Sequence, residues 1–336
     1  MQSSSFTLAR PDGIDVFVHR WIPDHDPVAI VQIAHGLAEH SGRYAGFADR
    51  LTAAGYAVYA SDHRGHGRTS GTRGVFAAED GWQTVVDDLH AVTRKAREEH
   101  PGLPVFLVGM SMGSFLSRSY AARFGSELAG LVLLGTAGGA GAIGKVGLAI
   151  ASAQARARGH DHVSSLLNSM SFGRFNAAFK PTRTEFDWLS RDEAEVDTYV
   201  ADPDCGFIMS TGGLADMVRG LADINTDRSA SRVPKDLPIH LASGDRCQVG
   251  EDGKGPREVA DRFRKVGVQD VTLTLWPEAR HEILHETNRD EVEAEIVEWA
   301  LSCTGQLPRG SSERGPTGPD ADERRRVPAR VWRLRV

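Results

Sequence analysis

The chain has 336 residues, 40% of them hydrophobic and 25% charged, with a net charge of −6. That balance belongs to a globular chain with a sizeable core, and no apolar run reaches the roughly 20 residues a membrane-spanning helix needs. The negative charge speaks against generic nucleic-acid binding, which requires clustered Lys and Arg to neutralise phosphates.

In chain order, residues 16–21 read as a first strand and 28–34 as a second, with the turn residues Pro23, Asp24, Asp26 and Pro27 between them. The second strand runs into His35-Gly36-Leu37-Ala38-Glu39-His40. Residues 44–54 carry Phe47, Ala48, Leu51 and Ala54 at helical spacing, stop at Gly55 and lead into a strand at 56–60. In Asp62-His63-Arg64-Gly65-His66-Gly67-Arg68, two histidines beside an aspartate invite a metal. With no third ligand set nearby, a hydrogen-bonded structural loop is the better reading, and no metal is expected.

A helix over 84–99 precedes the most informative stretch, Val105-Phe106-Leu107-Val108-Gly109-Met110-Ser111-Met112-Gly113. Residues 105–108 are wholly apolar after Pro104, which suits a strand covered on both faces. Gly109 and Gly113 then flank Ser111 in a G-x-S-x-G pattern, where small residues permit a sharp strand-to-helix bend that lifts the hydroxyl above the sheet. A helix over 114–124 would aim its N-terminal amides at charge developing during attack on an ester. The Met112 amide, paired with that of Leu37 after the second strand, is the candidate oxyanion hole. A strand at 128–134 follows. The strand–helix alternation predicts an α/β fold with a mostly parallel central sheet and helices on both faces.

After Gly135 the rhythm breaks. Residues 137–234 show helical patches and no clear β-run, which predicts a helical cap folded over Ser111. The apolar, small-residue stretch 140–155 would either face lipid or a tunnel, or be packed as core. Met209, Met217 and Leu221 are candidate pocket residues, with ordinary core filling as the alternative. The sheet resumes at 239–243, followed by a helix at 256–266, a strand at 271–275 and a last helix at 291–301. His281, on the loop after the last strand, stands where a triad base belongs in the order nucleophile, acid, base. His285 is expected at the surface. From 305 to 336, eight arginines against four acids give +4 and leave −10 for the rest, and disorder is expected there, with contact to anionic lipid as the alternative for the last six residues. Cys205, Cys247 and Cys303 match neither a disulfide framework nor a zinc motif, and the first residues lack the basic head and apolar core of a signal peptide. A cytoplasmic location is therefore the expectation.

Over about residues 17–301 the chain resembles the monoacylglycerol lipase and lysophospholipase group of α/β-hydrolases. The likeness rests on His35-Gly36-Leu37-Ala38-Glu39-His40-Ser41-Gly42-Arg43-Tyr44, Asp62-His63-Arg64-Gly65-His66-Gly67, Gly109-Met110-Ser111-Met112-Gly113, and Arg280-His281-Glu282 with Glu286-Thr287-Asn288-Arg289. It implies an α/β-hydrolase fold with Ser111 as nucleophile, His281 as base, the Leu37 and Met112 amides as oxyanion hole, and a cap that shapes an acyl pocket. The group's acid lies three residues after a glycine that ends the penultimate strand. In Gly244-Asp245-Arg246-Cys247 that place holds Cys247, a departure from the pattern. Asp245, two residues earlier, would point to the same side of an extended segment and could reach His281. Glu251 and Asp252 are more distant reserves, and an incomplete triad in which Asp245 only caps the turn stays open.

Together these readings predict an α/β-hydrolase core of residues 1–136 and 235–304, a helical cap of 137–234 and a tail of 305–336. The expected activity is hydrolysis of a carboxylic ester, a monoacylglycerol or lysophospholipid, through an acyl-enzyme and without a cofactor. The substrate is thus a small lipid ester, and the cap is a candidate for transient membrane-surface contact. Two alternatives stay open: a catalytically impaired hydrolase that binds acylated ligands, and a peptidase or lactonase on the same fold.

Overall fold

Five runs rich in Val, Ile, Leu, Tyr and Ala, buried along their whole length, form the middle of one sheet. The computed structural model describes residues 1–139 and 141–304, apart from the side chains at 142, 143, 145, 171 and 172; the tail from 305 lies outside them. The chain passes through β1 (Gln2–Ala9), β2 (Asp15–Ile22), β3 (Ala29–Ala34), α1 (Ala45–Ala53), β4 (Tyr56–Ser61), α2 (Gly81–Glu99), β5 (Val105–Met110), α3 (Met112–Phe124) and β6 (Gly130–Leu134). The eight strands lie in the order β1-β2-β4-β3-β5-β6-β7-β8, where β7 is Ile239–Gly244 and β8 is Val271–Trp276. From β4 to β8 every pairing is parallel, whereas β2 runs antiparallel to both β1 and β4. This is the α/β-hydrolase fold.

β1 is the element the sequence did not announce. Its Ser3-Ser4-Ser5 stretch is exposed, and it survives as an edge strand because all eight residues pair with β2, from Gln2 opposite Ile22 to Ala9 opposite Asp15. A polar edge strand presents no apolar pattern to read.

The sheet carries two layers. On one face, Phe47 and Leu51 of α1 and Val292 and Ile296 of α10 (Arg289–Cys303) cover Val31, Val108 and Val132. On the other, Val85 and Leu89 of α2, Leu116 and Tyr120 of α3 and Phe263 of α9 (Lys254–Lys265) pack on Leu107, Leu131 and Leu241. Leu89 and Leu116 are wholly buried, each worth about 1.5–3 kcal/mol relative to exposure.

Between β6 and β7 the described residues form helices and turns: α4 (Gly141–Arg158), α5 (Ser165–Phe172), α6 (Glu193–Ala201), α7 (Thr211–Ile224) and the single-turn α8 (Asp227–Ala230). The β-pairing in this insertion is an isolated bridge from Val163 to Ser210. Ala151 and Ala155 of α4 are buried while Val146 is 54% exposed, so this helix packs with one side and shows the other to solvent. No described helix is long and apolar enough to cross a membrane.

Candidate active site

The bend after β5 is built by steric exclusion. Ser111 sits at φ 52°, ψ −119°, a conformation that L-residues rarely adopt. Its amide donates to Leu134 O at 2.9 Å, and its carbonyl accepts from the Ser114 and Phe115 amides and from Ser114 Oγ, so the strain is held from both sides. A Cβ at Gly109 would lie 2.4 Å from Gly113 O, and one at Gly113 only 2.0 Å from Ala34 O. Gly113→Ala is therefore expected to lose about 3 kcal/mol or more of stability through overpacking at a site that cannot relax. A thermal melt of the variant unchanged from the parent would contradict this.

Beside this bend lies the loop after β3. A Cβ at Gly36 would come within 2.6 Å of Glu39 Oε1 and 3.3 Å of Ser111 Cβ, so glycine suits this close approach. The Gly36 amide donates to Glu39 Oε1 at 2.5 Å, and Tyr44 Oη donates to the same oxygen at 2.8 Å. His35 Nε2 accepts from the His63 amide at 2.9 Å, which leaves Nδ1–H to donate to Gly36 O at 2.7 Å. His63 in turn donates from Nε2 to His35 O, and Asp62 accepts from the Ser41 amide and hydroxyl and from the Arg68 amide. The 62–68 loop thus buttresses the loop carrying Leu37. As the first residue of α3, Met112 has an amide with no helical acceptor. Leu37, Ser111 and Met112 all line one cavity of about 680 Å³.

His281 lines the same cavity from the loop after β8. Its imidazole is 3% exposed, and burial pushes its pKa down to about 4 against the upward pull of Glu282. Cys247 Sγ lies 3.1 Å from Nδ1 and also accepts from the Gly250 amide at 3.4 Å. Burial pushes that thiol up to about 11, so it is neutral at pH 7. Trp188 of the helical insertion lies against the ring, with centroids 5.2 Å apart and planes inclined by 32°.

Asp245 does not reach His281. Its Oδ1 accepts from the Glu278 amide at 2.8 Å, and its own amide donates to Trp276 O. The expectation treated the segment after Gly244 as extended, but the chain turns there, with the Cys247 amide donating to Gly244 O, and the i, i+2 alternation of a strand is lost. Of the two reserves, Glu251 lines the cavity, with its carboxylate on Lys254, and Asp252 accepts from Gln248. His285 is also not at the surface. The turn Ile283–His285 directs it inward, where Nε2–H donates to Arg43 O at 3.2 Å.

A second buried group, not foreseen from sequence, joins these loops. Arg43 donates to Glu39 Oε2 at 2.6 Å and to both oxygens of Glu282 at 2.9 and 2.6 Å, and its guanidinium lies over Tyr199, 4.8 Å from the ring centre. Burial alone would raise the Glu282 carboxyl, but the Arg43 guanidinium outweighs it and holds the pKa below the usual carboxylate range. A positive charge four residues after Glu39 was the available signal; its long-range partner Glu282 was not readable.

The insertion supplies most of the cavity's apolar wall, including Leu167, Phe186, Trp188, Phe207 and Ile208, and Met209, Met217 and Leu221 line it as well. Among the described lining residues the charged side chains are Glu39, Glu185, Glu251 and Glu282, with no Lys or Arg.

The sequence profile of the Hydrolase_4 family, described as "Serine aminopeptidase, S33", matches residues 25–288. The chain is 32% identical over 301 residues to the monoacylglycerol lipase of Mycolicibacterium smegmatis (89% of this chain, 97% of the relative). It is 29% identical over 298 residues to the monoglyceride lipase of Mus musculus (84% and 88%). Among solved structures, a thermostable carboxyl esterase from Bacillus coagulans in complex with glycerol superposes with a TM-score of 0.84 at 30% identity, covering 90% of this chain and 99% of that one. A soluble variant of the Saccharomyces cerevisiae monoglyceride lipase gives 0.70 at 21% identity over 90% and 94%, a likeness of fold.

Proposed function

The chain belongs to the Hydrolase_4 (serine aminopeptidase, S33) family and to the monoacylglycerol-lipase-like group of α/β-hydrolases, and from that membership we propose that it cleaves single-chain lipid esters through an acyl-enzyme on Ser111. It is a carboxylic ester hydrolase. The observation that carries the finer reading is a strained serine sharing one largely apolar cavity with a buried histidine.

In the proposed reaction Ser111 Oγ attacks the acyl carbonyl while His281 Nε2, the nitrogen not facing Cys247, takes the hydroxyl proton. The carbonyl electrons move to an oxyanion held by the Leu37 and Met112 amides. Collapse of this adduct expels the alcohol, which leaves with the proton from Nε2. Water then repeats the cycle on the acyl-enzyme and frees the acid. Residues 137–234 act as the cap, and residues 1–136 with 235–304 as the catalytic core. No metal or organic cofactor enters the scheme. Val146, Val163 and Leu166, all exposed, suit transient contact of the cap with a lipid surface, and free cysteines fit a reducing cytoplasm.

The lining favours an uncharged head group. Glu39 and Glu282 are paired with Arg43 and Glu251 with Lys254, and no Lys or Arg among the described residues lines the cavity to hold a phosphate, so monoacylglycerol is expected to be turned over at least tenfold faster than the lysophosphatidic acid of the same chain. Equal kcat/KM for the two lipids would sink this assignment. The ester reading as a whole is tested on p-nitrophenyl esters of short and medium chains. No turnover above that of Ser111→Ala would overturn it.

Cys247 favours a second reading, a hydrolase impaired in chemistry that retains acylated ligands. A fluorophosphonate that leaves Ser111 unmodified while a fatty acyl ligand still binds would select it.

A further inference from the structure

The loop that carries His281 is stitched along its length to one segment of the cap. The Glu282 amide donates to Leu189 O at 2.8 Å, Arg280 Nη1 donates to Ser190 O at 3.0 Å and to Asp187 O, and Ser190 Oγ donates to His285 O at 2.8 Å. Glu286, fully buried, is the hub. Its Oε1 accepts from the Arg191 amide at 3.1 Å and the Arg280 amide at 2.8 Å, while Oε2 accepts from Arg191 Nε at 2.8 Å and the Thr287 amide at 3.0 Å. Arg191 Nη2 reaches on to Asn288 Oδ1 at 2.9 Å. Within this seam, between Asp187 and Leu189, Trp188 lies across the imidazole; its amide donates to Asn176 Oδ1 and its indole rests on Phe175.

A carboxylate on Nδ1 orients an imidazole by a strong, directional, charge-assisted bond, whereas sulfur is a diffuse and weak acceptor. Here the ring has the weak partner on its nitrogen and the cap on its face. We propose that the cap segment Trp188–Arg191, latched through Arg191 to Glu286, is the positioning element for His281, taking over the orienting task that the thiol of Cys247 performs poorly. The inference rests on the reading of His281 as the base. It makes the cap part of the chemistry as well as the wall of the acyl pocket, with Trp188, Arg191 and Glu286 as positioning residues.

The test uses a short, water-soluble p-nitrophenyl ester, which does not depend on the acyl pocket, and full-length protein. Arg191→Met and Trp188→Leu are each expected to lower kcat by about tenfold or more with KM changed less than about threefold, because a misaimed base slows chemistry without removing ground-state contacts. Arg191→Lys, which keeps the charge and loses the two-point contact, should fall between. In a Cys247→Asp background, where a carboxylate orients the ring, the same substitutions should cost less than about threefold. Losses of equal size in both backgrounds, or losses confined to KM, would overturn the proposal, as would an unchanged kcat. If the Cys247→Asp protein does not fold, the wild-type background decides: a kcat loss at unchanged KM and melting temperature supports the latch, and an unchanged kcat removes it. His281→Ala keeps the two readings apart. Full activity in that variant defeats the base assignment itself, whereas an inactive His281→Ala beside an unaffected Arg191→Met defeats the latch alone.

Discussion

Cys247→Asp is expected to raise kcat for ester hydrolysis by about two to four orders of magnitude, because the orienting acid of a serine triad is worth about ten-thousandfold where it has been removed. The thiol is wholly buried and already accepts from the Gly250 amide, so a carboxylate there has a donor waiting besides the imidazole. The pH profile should move with the rate. His281 must be neutral to act as base, and burial depresses its pKa to about 4, so protonation removes the base only as pH falls through that low value. An aspartate at Nδ1 stabilises the imidazolium, raises this pKa and shifts the acid limb of kcat/KM upward. A folded variant with an unchanged rate and an unchanged acid limb would show that the thiol is no handicap. Such a result would remove the physical ground for treating position 247 as a vacant acid site.

Removing the nucleophile should have an effect that depends on that same position. In a serine protease whose triad members were deleted singly, loss of serine costs about 2 × 10⁶ in kcat and loss of the acid about 3 × 10⁴, so the two losses are far from additive. With Cys247 in place, Ser111→Ala is therefore expected to cost only about a hundredfold, down to what the Leu37 and Met112 amides sustain alone. In the Cys247→Asp background the same substitution should cost about ten-thousandfold to a millionfold, the hundredfold multiplied by the gain from the carboxylate. Initial rates of the four proteins on one activated ester read out the cycle directly. Equal penalties in both backgrounds would mean that Ser111, His281 and residue 247 do not act as a unit.

What the sequence revealed and what it concealed separate along physical lines. The central strands β5 and β6 are legible because burial on both faces favours apolar runs, and the elbow is legible because backbone sterics leave glycine the only choice at 109 and 113. His281, the proposed base, stood out because a position after the last strand follows from topology. β1 escaped because an edge strand held by backbone pairing needs no apolar side chains. Asp245 was misjudged by a local error, an extended geometry assumed where the chain bends, and that one bend exchanges Asp245 for Cys247 at the imidazole. His285 was misjudged similarly, since a tight turn rather than helical spacing decides its direction. Trp188 and the Arg43–Glu282 pair were beyond reach for another reason. They join residues 93 and 239 positions apart, and neither composition nor periodicity encodes such contacts.

The most direct measurement is mass spectrometry of the intact protein after brief exposure to a fluorophosphonate, followed by mapping of the adduct. A single adduct on the peptide containing Ser111, absent from Ser111→Ala and formed faster in Cys247→Asp, is the predicted result. A protein that stays unmodified, or one labelled equally well after Ser111→Ala, would contradict the assignment of Ser111 as an activated nucleophile.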